Sequence, residues 1–142
     1  MAYRRGAADA QHVTRLQRPK IVCLCGSTKF KQEFEEANVR ETFNEHVVLS
    51  VCCFAHADNL WSLITPEMKS KLDELHKRKI DLADEILVLN VGGYIGDSTK
   101  SEIAHAIKTG KKVRWLDPAR IPAGYGAEDH ATKTGQKEDL PV

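Results

Sequence analysis

Asp97, Ser98, Thr99, Ser101 and Glu102 crowd two carboxylates and three hydroxyls onto the end of one glycine-rich stretch, Asn90-Val91-Gly92-Gly93-Tyr94-Ile95-Gly96. An ionised carboxylate in a sugar-sized crevice can attack an anomeric carbon, and a second can act as acid and base toward the leaving group. Hydroxyls and free N–H groups at a helix N-terminus can receive a phosphate. Glu102 also has a plainer reading. Thr99-Lys100-Ser101-Glu102 has the pattern of a capping box, with Thr99 as N-cap and Glu102 at N3. Both readings put Glu102 in a first helical turn, where the helix dipole lowers its pKa and keeps it ionised near neutral pH.

A second turn carries similar groups. Gly26-Ser27-Thr28 follows the apolar run Lys20-Ile21-Val22-Cys23-Leu24-Cys25, and a helix comes next, with Ser27 or Thr28 as its N-cap. The turn reads either as a cap or as a small phosphate cradle. Ala55-His56-Ala57-Asp58-Asn59-Leu60-Trp61 is a loop able to fold over a ligand and receive a base against His56 and Trp61, or else a surface crossover. Of the four cysteines, Cys23, Cys25, Cys52 and Cys53, none has C-x-x-C spacing. All lie in strand-like apolar runs and read as small buried hydrophobes. Cys25 stands apart because it ends a strand beside a candidate binding loop.

The elements that hold these turns follow from periodicity. Lys20 to Cys25, His46 to Phe54 and Glu85 to Val91 read as strands from their apolar runs, and Lys111 to Leu116 as a fourth, reached through the helix stop at Gly110. Phe30, Phe34 and Ala37 form a helical stripe after the first. Thr65-Pro66-Glu67 starts another helix, with Met68, Leu72, Leu75 and Leu82 as its core-facing stripe and Lys77-Arg78-Lys79 as a solvated face. His76 lies close to that stripe. Strands alternate with helices, which predicts an α/β fold: a Rossmann-like or flavodoxin-like three-layer sandwich on a parallel sheet of four or five strands. In such a sheet the turns after the first and third strands open at the same carboxyl edge.

A chain of 142 residues is one domain by length. We expect a flexible N-terminal extension over 1–18, the ligand-binding domain over 19–117, and a polar tail over 118–142. The net charge of +1 gives no electrostatic footing for a nucleic-acid polymer. No apolar run reaches the length of a membrane span or reads as a signal-peptide core, so a cytoplasmic protein with no membrane partner is expected.

Three blocks resemble the nucleoside 2-deoxyribosyltransferase-like superfamily: Cys25 to Phe30, Leu75 to Glu85, and Gly92 to Ile103. Within it the chain is most similar to the nucleotide N-glycosidase branch, with its CMP and hydroxymethyl-CMP hydrolases. The similarity runs from about Lys20 to Leu116. It implies cleavage of the N-glycosidic bond of a nucleoside 5′-monophosphate, a pyrimidine such as CMP being favoured. Glu102 would be the nucleophile, the Gly26–Thr28 turn would lie near the substrate, and the protein would be a homodimer or higher homo-oligomer. Catalytic candidates are thus Glu102 and Asp97. Substrate-binding candidates are Gly26, Ser27, Thr28, Lys29, Phe30, His56, Gly93, Tyr94, Gly96, Ser98 and Ser101, and no metal or other cofactor is expected. The alternatives are a deoxyribosyltransferase, in which a second base accepts the sugar, and a non-catalytic nucleotide-binding or sensing module.

Overall fold

A computed structural model describes residues 18–52 and 54–125. Four strands form one parallel sheet in the order β2-β1-β3-β4, where β1 is Ile21–Cys25, β2 is Val47–Leu49, β3 is Glu85–Val88 and β4 is Lys112–Trp115. Helix α1, Lys31–Phe43, connects β1 to β2; α2, Pro66–Leu82, leads into β3; α3, Asp97–Lys108, leads into β4. This is the α/β, flavodoxin-like arrangement expected, with its topological switch between β1 and β3.

Alternation along the strands divides the core in two. Val22, Leu24, Leu87 and Leu89 pack with Phe34 and Ala37 of α1 on one face. Cys23, Cys25, Ile86 and Val88 pack with Ile80 of α2 and with Ile103 and Ala106 of α3 on the other. Helices cover both faces, which is why β1 and β3 read as unbroken apolar runs. Across the sheet, Glu85 and Glu41 are buried and share the guanidinium of Arg114.

Several boundaries differ from the periodicity. The second strand stops at Leu49, well before Phe54. It is an edge strand, its last pair is Cys23 with Leu49, and the Lys79 ammonium takes up the Ser50 carbonyl at 2.7 Å. Cys52 is accordingly exposed and outside any strand, and Cys53 lies outside the described residues. The stripe assigned to α2 does not face the core. Met68, Leu75 and Leu82 are exposed, whereas His76 and Ile80, one turn apart, are its buried residues. The start of α2 is as expected: the Thr65 hydroxyl accepts from Met68 N at 3.1 Å, with Pro66 at N1. At the other end of the chain the packing continues past residue 117. Pro118–Arg120 make a 3₁₀ turn, and Tyr125 packs on Trp115. Arg18 is tied to Asp84 at 2.6 Å, while residues 1–17 and 126–142 of the expected extension and tail lie outside the described residues.

Candidate active site

The turns after β1 and β3 do meet, and they require glycine at two places. A Cβ at Gly26 would stand 3.1 Å from Leu89 Cβ, so only glycine lets the two strand ends approach this closely. Gly92 and Gly93 hold φ of 62° and 85°, a left-handed pair that reverses the chain after β3. Asn90, fully buried, locks this turn to the segment after β4. Its amide donates to the carbonyls of Asp117 at 2.9 Å and Arg120 at 3.1 Å, and its oxygen accepts from Asp117 N at 2.9 Å.

Helix α3 then starts at Asp97, with Gly96 as N-cap and no side-chain cap. The capping box is therefore not formed. Thr99 is buried inside the first turn, and Glu102 is the sixth helical residue, on the same stripe as Ile103 and Ala106. That phase buries Glu102 to 8% exposure. Nor does the helix dipole govern its charge. Burial pushes the carboxyl from 4.5 up to about 7; His76 and a Cys25 hydrogen bond oppose this, and Cys23 and Asp73 reinforce it.

Glu102 lies at the edge of a cavity of about 450 Å³, within the range of small-molecule sites. Of the expected residues, Gly26, Ser27 and Thr28 line it from the first turn, and Tyr94, Gly96, Asp97 and Ser98 from the second. His56 and Trp61 line it from the β2–α2 loop, stacked with ring centroids 4.4 Å apart. Thr28 does not cap α1, whose N-cap is Phe30; its hydroxyl is 2.7 Å from His56 Nδ1 and pins the loop to the first turn. Lys29, Phe30, Gly93 and Ser101 do not line the cavity. Lys29 sits 3.7 Å over the Tyr94 ring, and Phe30 meets the same ring edge-on. Gly93 faces Arg120, and Ser101 projects from the exposed side of α3.

Helix α2 supplies residues the sequence reading left out. Lys69, Asp73, His76 and Lys79 all line the cavity. The Lys69 ammonium bridges Asp73 at 2.7 Å and the Ser98 hydroxyl at 3.0 Å, so it adds a cation to the start of α3. His76 Nε2 stands 3.8 Å from Glu102 Oε1 and 3.6 Å from the sulfurs of both Cys23 and Cys25. Burial disfavours the charged imidazole, but Cys23 and Glu102 together raise its pKa above the ordinary value. The spacing Lys69, Asp73, His76 (i, i+4, i+7) is one helical face, and that polar stripe was the available signal. It was hidden because the apolar residues of α2 suggested a different inward face.

The arrangement offers a buried carboxyl at Glu102, carboxylates at Asp97 and Asp73, a hydroxyl and ammonium cluster at a helix N-terminus, and a stacked aromatic pair. Among the described residues no helix is long and apolar enough to cross a membrane. No family model, curated protein or solved structure matches the chain.

Proposed function

We propose that this protein hydrolyses the N-glycosidic bond of a nucleoside 5′-monophosphate, a pyrimidine such as CMP being favoured, to free base and (deoxy)ribose 5-phosphate. The observation that carries the reading is Glu102: a carboxyl buried to 8% exposure that nonetheless borders a cavity of nucleotide size. A desolvated ionisable group on a cavity wall is the pattern that functional sites favour.

In this mechanism the Glu102 carboxylate attacks C1′, the C1′–N bond breaks, and its electron pair leaves with the base. A glycosyl ester on Glu102 results. Asp97 donates to or orients the departing base, then takes a proton from the water that hydrolyses the ester. The 5′-phosphate sits at the start of α3 against Ser98 and Lys69, where helix N–H groups and an ammonium favour an anion. Ser27 and Thr28 bound the sugar, and the base stacks on the His56–Trp61 pair. The protein works in the cytoplasm as a homodimer. In support, Trp61 and Leu75 line the cavity yet remain 44% and 54% exposed, an apolar rim that a second copy would cover.

The test is to quench a reaction in acid during turnover and weigh the intact protein. A mass increase of one (deoxy)ribose 5-phosphate, mapped to the Glu102 peptide, is expected. Steady base release with no such adduct would remove the covalent step. Diversion of product into a new nucleoside on adding free base would make the protein a transferase.

A further inference from the structure

Cys23, Cys25, His76 and Glu102 have no joint role in the chemistry above, yet their donor atoms converge. Cys23 and Cys25, two residues apart on β1, present both sulfurs to the same face of the sheet, the face that α2 and α3 cover. His76 comes down from α2 with its Nε2 3.6 Å from each sulfur, and Glu102 comes from α3 with Oε1 3.8 Å from the same nitrogen. The two sulfurs and the imidazole nitrogen all lie within 4.8 Å of one another. Both cysteines are fully buried, and His76 is 5% exposed.

Hydrogen bonding at the ring nitrogen does not account for this set, although the thiols also reach the Leu24 and Cys23 carbonyls at 3.9 Å and Cys25 bonds Glu102. An imidazole nitrogen carries either one hydrogen or one lone pair, so it makes one good hydrogen bond. Here it faces two thiols and a carboxylate at near-equal distances. A central cation satisfies both sulfurs and the ring nitrogen at once. In a tetrahedral zinc site, bonds of about 2.3 Å to sulfur and about 2.0 Å to nitrogen place these donors about 3.5 Å apart. The observed separations of 3.6 Å need almost no adjustment.

We propose that Cys23, Cys25 and His76 form a binding site for a borderline-soft divalent ion, Zn²⁺ in the first place, with the Glu102 carboxylate, 3.8 Å from the same nitrogen, moving in as the fourth ligand. Two thiolates and a neutral imidazole are the ligand types such ions select over Mg²⁺ or Ca²⁺. On binding, both thiol protons pass to solvent and the Glu102 carboxylate completes the tetrahedron. The ion reaches the site through the cavity, which His76 and Glu102 both line. The metal site does not depend on the glycosidase reading. Where both hold, an occupied site ties up the nucleophile, and zinc is an inhibitor that chelation relieves.

The probe is Co²⁺ added to the full-length chain, reduced and stripped by a chelator. Saturation at one equivalent is expected, with thiolate-to-cobalt charge-transfer absorption in the near ultraviolet and tetrahedral d–d bands in the visible. Zinc should bleach both. X-ray absorption of the zinc-loaded native protein should show two sulfurs near 2.3 Å and two lighter donors near 2.0 Å, as expected of such a shell. That measurement decides the matter even where a cysteine variant does not fold. Cys23→Ala/Cys25→Ala should lose the charge-transfer band, and Glu102→Gln should keep it at weaker affinity. A first shell of nitrogen and oxygen alone, cobalt binding without the sulfur band, or a band that survives the double cysteine variant would overturn the site. Base release is assayed separately on stripped protein. Turnover without metal binding rejects only the metal site, and metal binding without turnover rejects only the glycosidase.

Discussion

Replacing Glu102 by glutamine should stabilise the protein, and only at neutral and alkaline pH. Burial raises the Glu102 carboxyl from 4.5 to about 7. That difference corresponds to about 3 kcal/mol between the two protonation states. Between those pH values the folded protein holds a proton that the unfolded chain has released. Stability therefore falls as pH rises through this window, and the loss is complete above about 7. Glutamine has nearly the same shape and does not titrate. The gain of Glu102→Gln over wild type should then be near zero at pH 4.5 and about 2–3 kcal/mol at pH 8.5. The lower end allows for His76, which loses its anionic neighbour in the variant. For a chain of this size such a gain raises Tm on the order of 10 °C. Urea unfolding of both proteins at half-unit pH steps, with a chelator present, reads the difference directly. A gain that does not change with pH, or a variant less stable than wild type at pH 8.5, would show that Glu102 carries no desolvation penalty and would remove the physical basis for its reactivity.

Other consequences follow from the same geometry. Because attack needs the ionised carboxylate, kcat/KM for base release should rise with pH and level off above about 7; a profile flat from pH 5 to 8 contradicts this. Lys69→Met should raise KM for a nucleoside monophosphate about 10–100-fold while barely changing turnover of the matching nucleoside, the signature of a lost phosphate contact. Equal losses on both substrates would place Lys69 elsewhere in the mechanism. Arg114→Met should cost about 3 kcal/mol in denaturant unfolding at pH 7, since it leaves the buried Glu41 and Glu85 carboxylates only His46 and Lys20 as partners. The penalty should shrink as pH falls. Both carboxyls are pushed up by burial, yet Arg114, with His46 at Glu41 and Lys20 at Glu85, holds them below their ordinary value in the wild type.

The fold was legible because burial on both faces leaves an unmistakable trace. Ile21 to Cys25 and Ile86 to Leu89 are apolar whichever way each residue points, and Gly26 and Gly92-Gly93 mark where they end. Those same glycines placed the cleft. Less legible was anything decided by phase or by edge position. The run from Val47 to Phe54 stays apolar past the end of pairing because Val51 and Cys52 line the cleft and Phe54 packs on Phe34. Leu75 lines the cavity, so an apolar count on α2 chose the wrong inward face and passed over Lys69, Asp73 and His76. The Thr99–Glu102 pattern fits a capping box, but Gly96 starts the helix one turn earlier and turns Glu102 inward. The meeting of Cys23 and Cys25 with His76 joins residues more than fifty positions apart, and no local pattern encodes it.

The most direct measurement is chromatography for free base after incubating wild-type and Glu102→Gln protein with a panel of nucleosides and nucleoside 5′-monophosphates. The account predicts base release by the wild type from at least one pyrimidine monophosphate, faster than from its nucleoside. Glu102→Gln should slow it on the order of a thousandfold or more. Release of no base from any member of the panel, or release by Glu102→Gln at the wild-type rate, would contradict it.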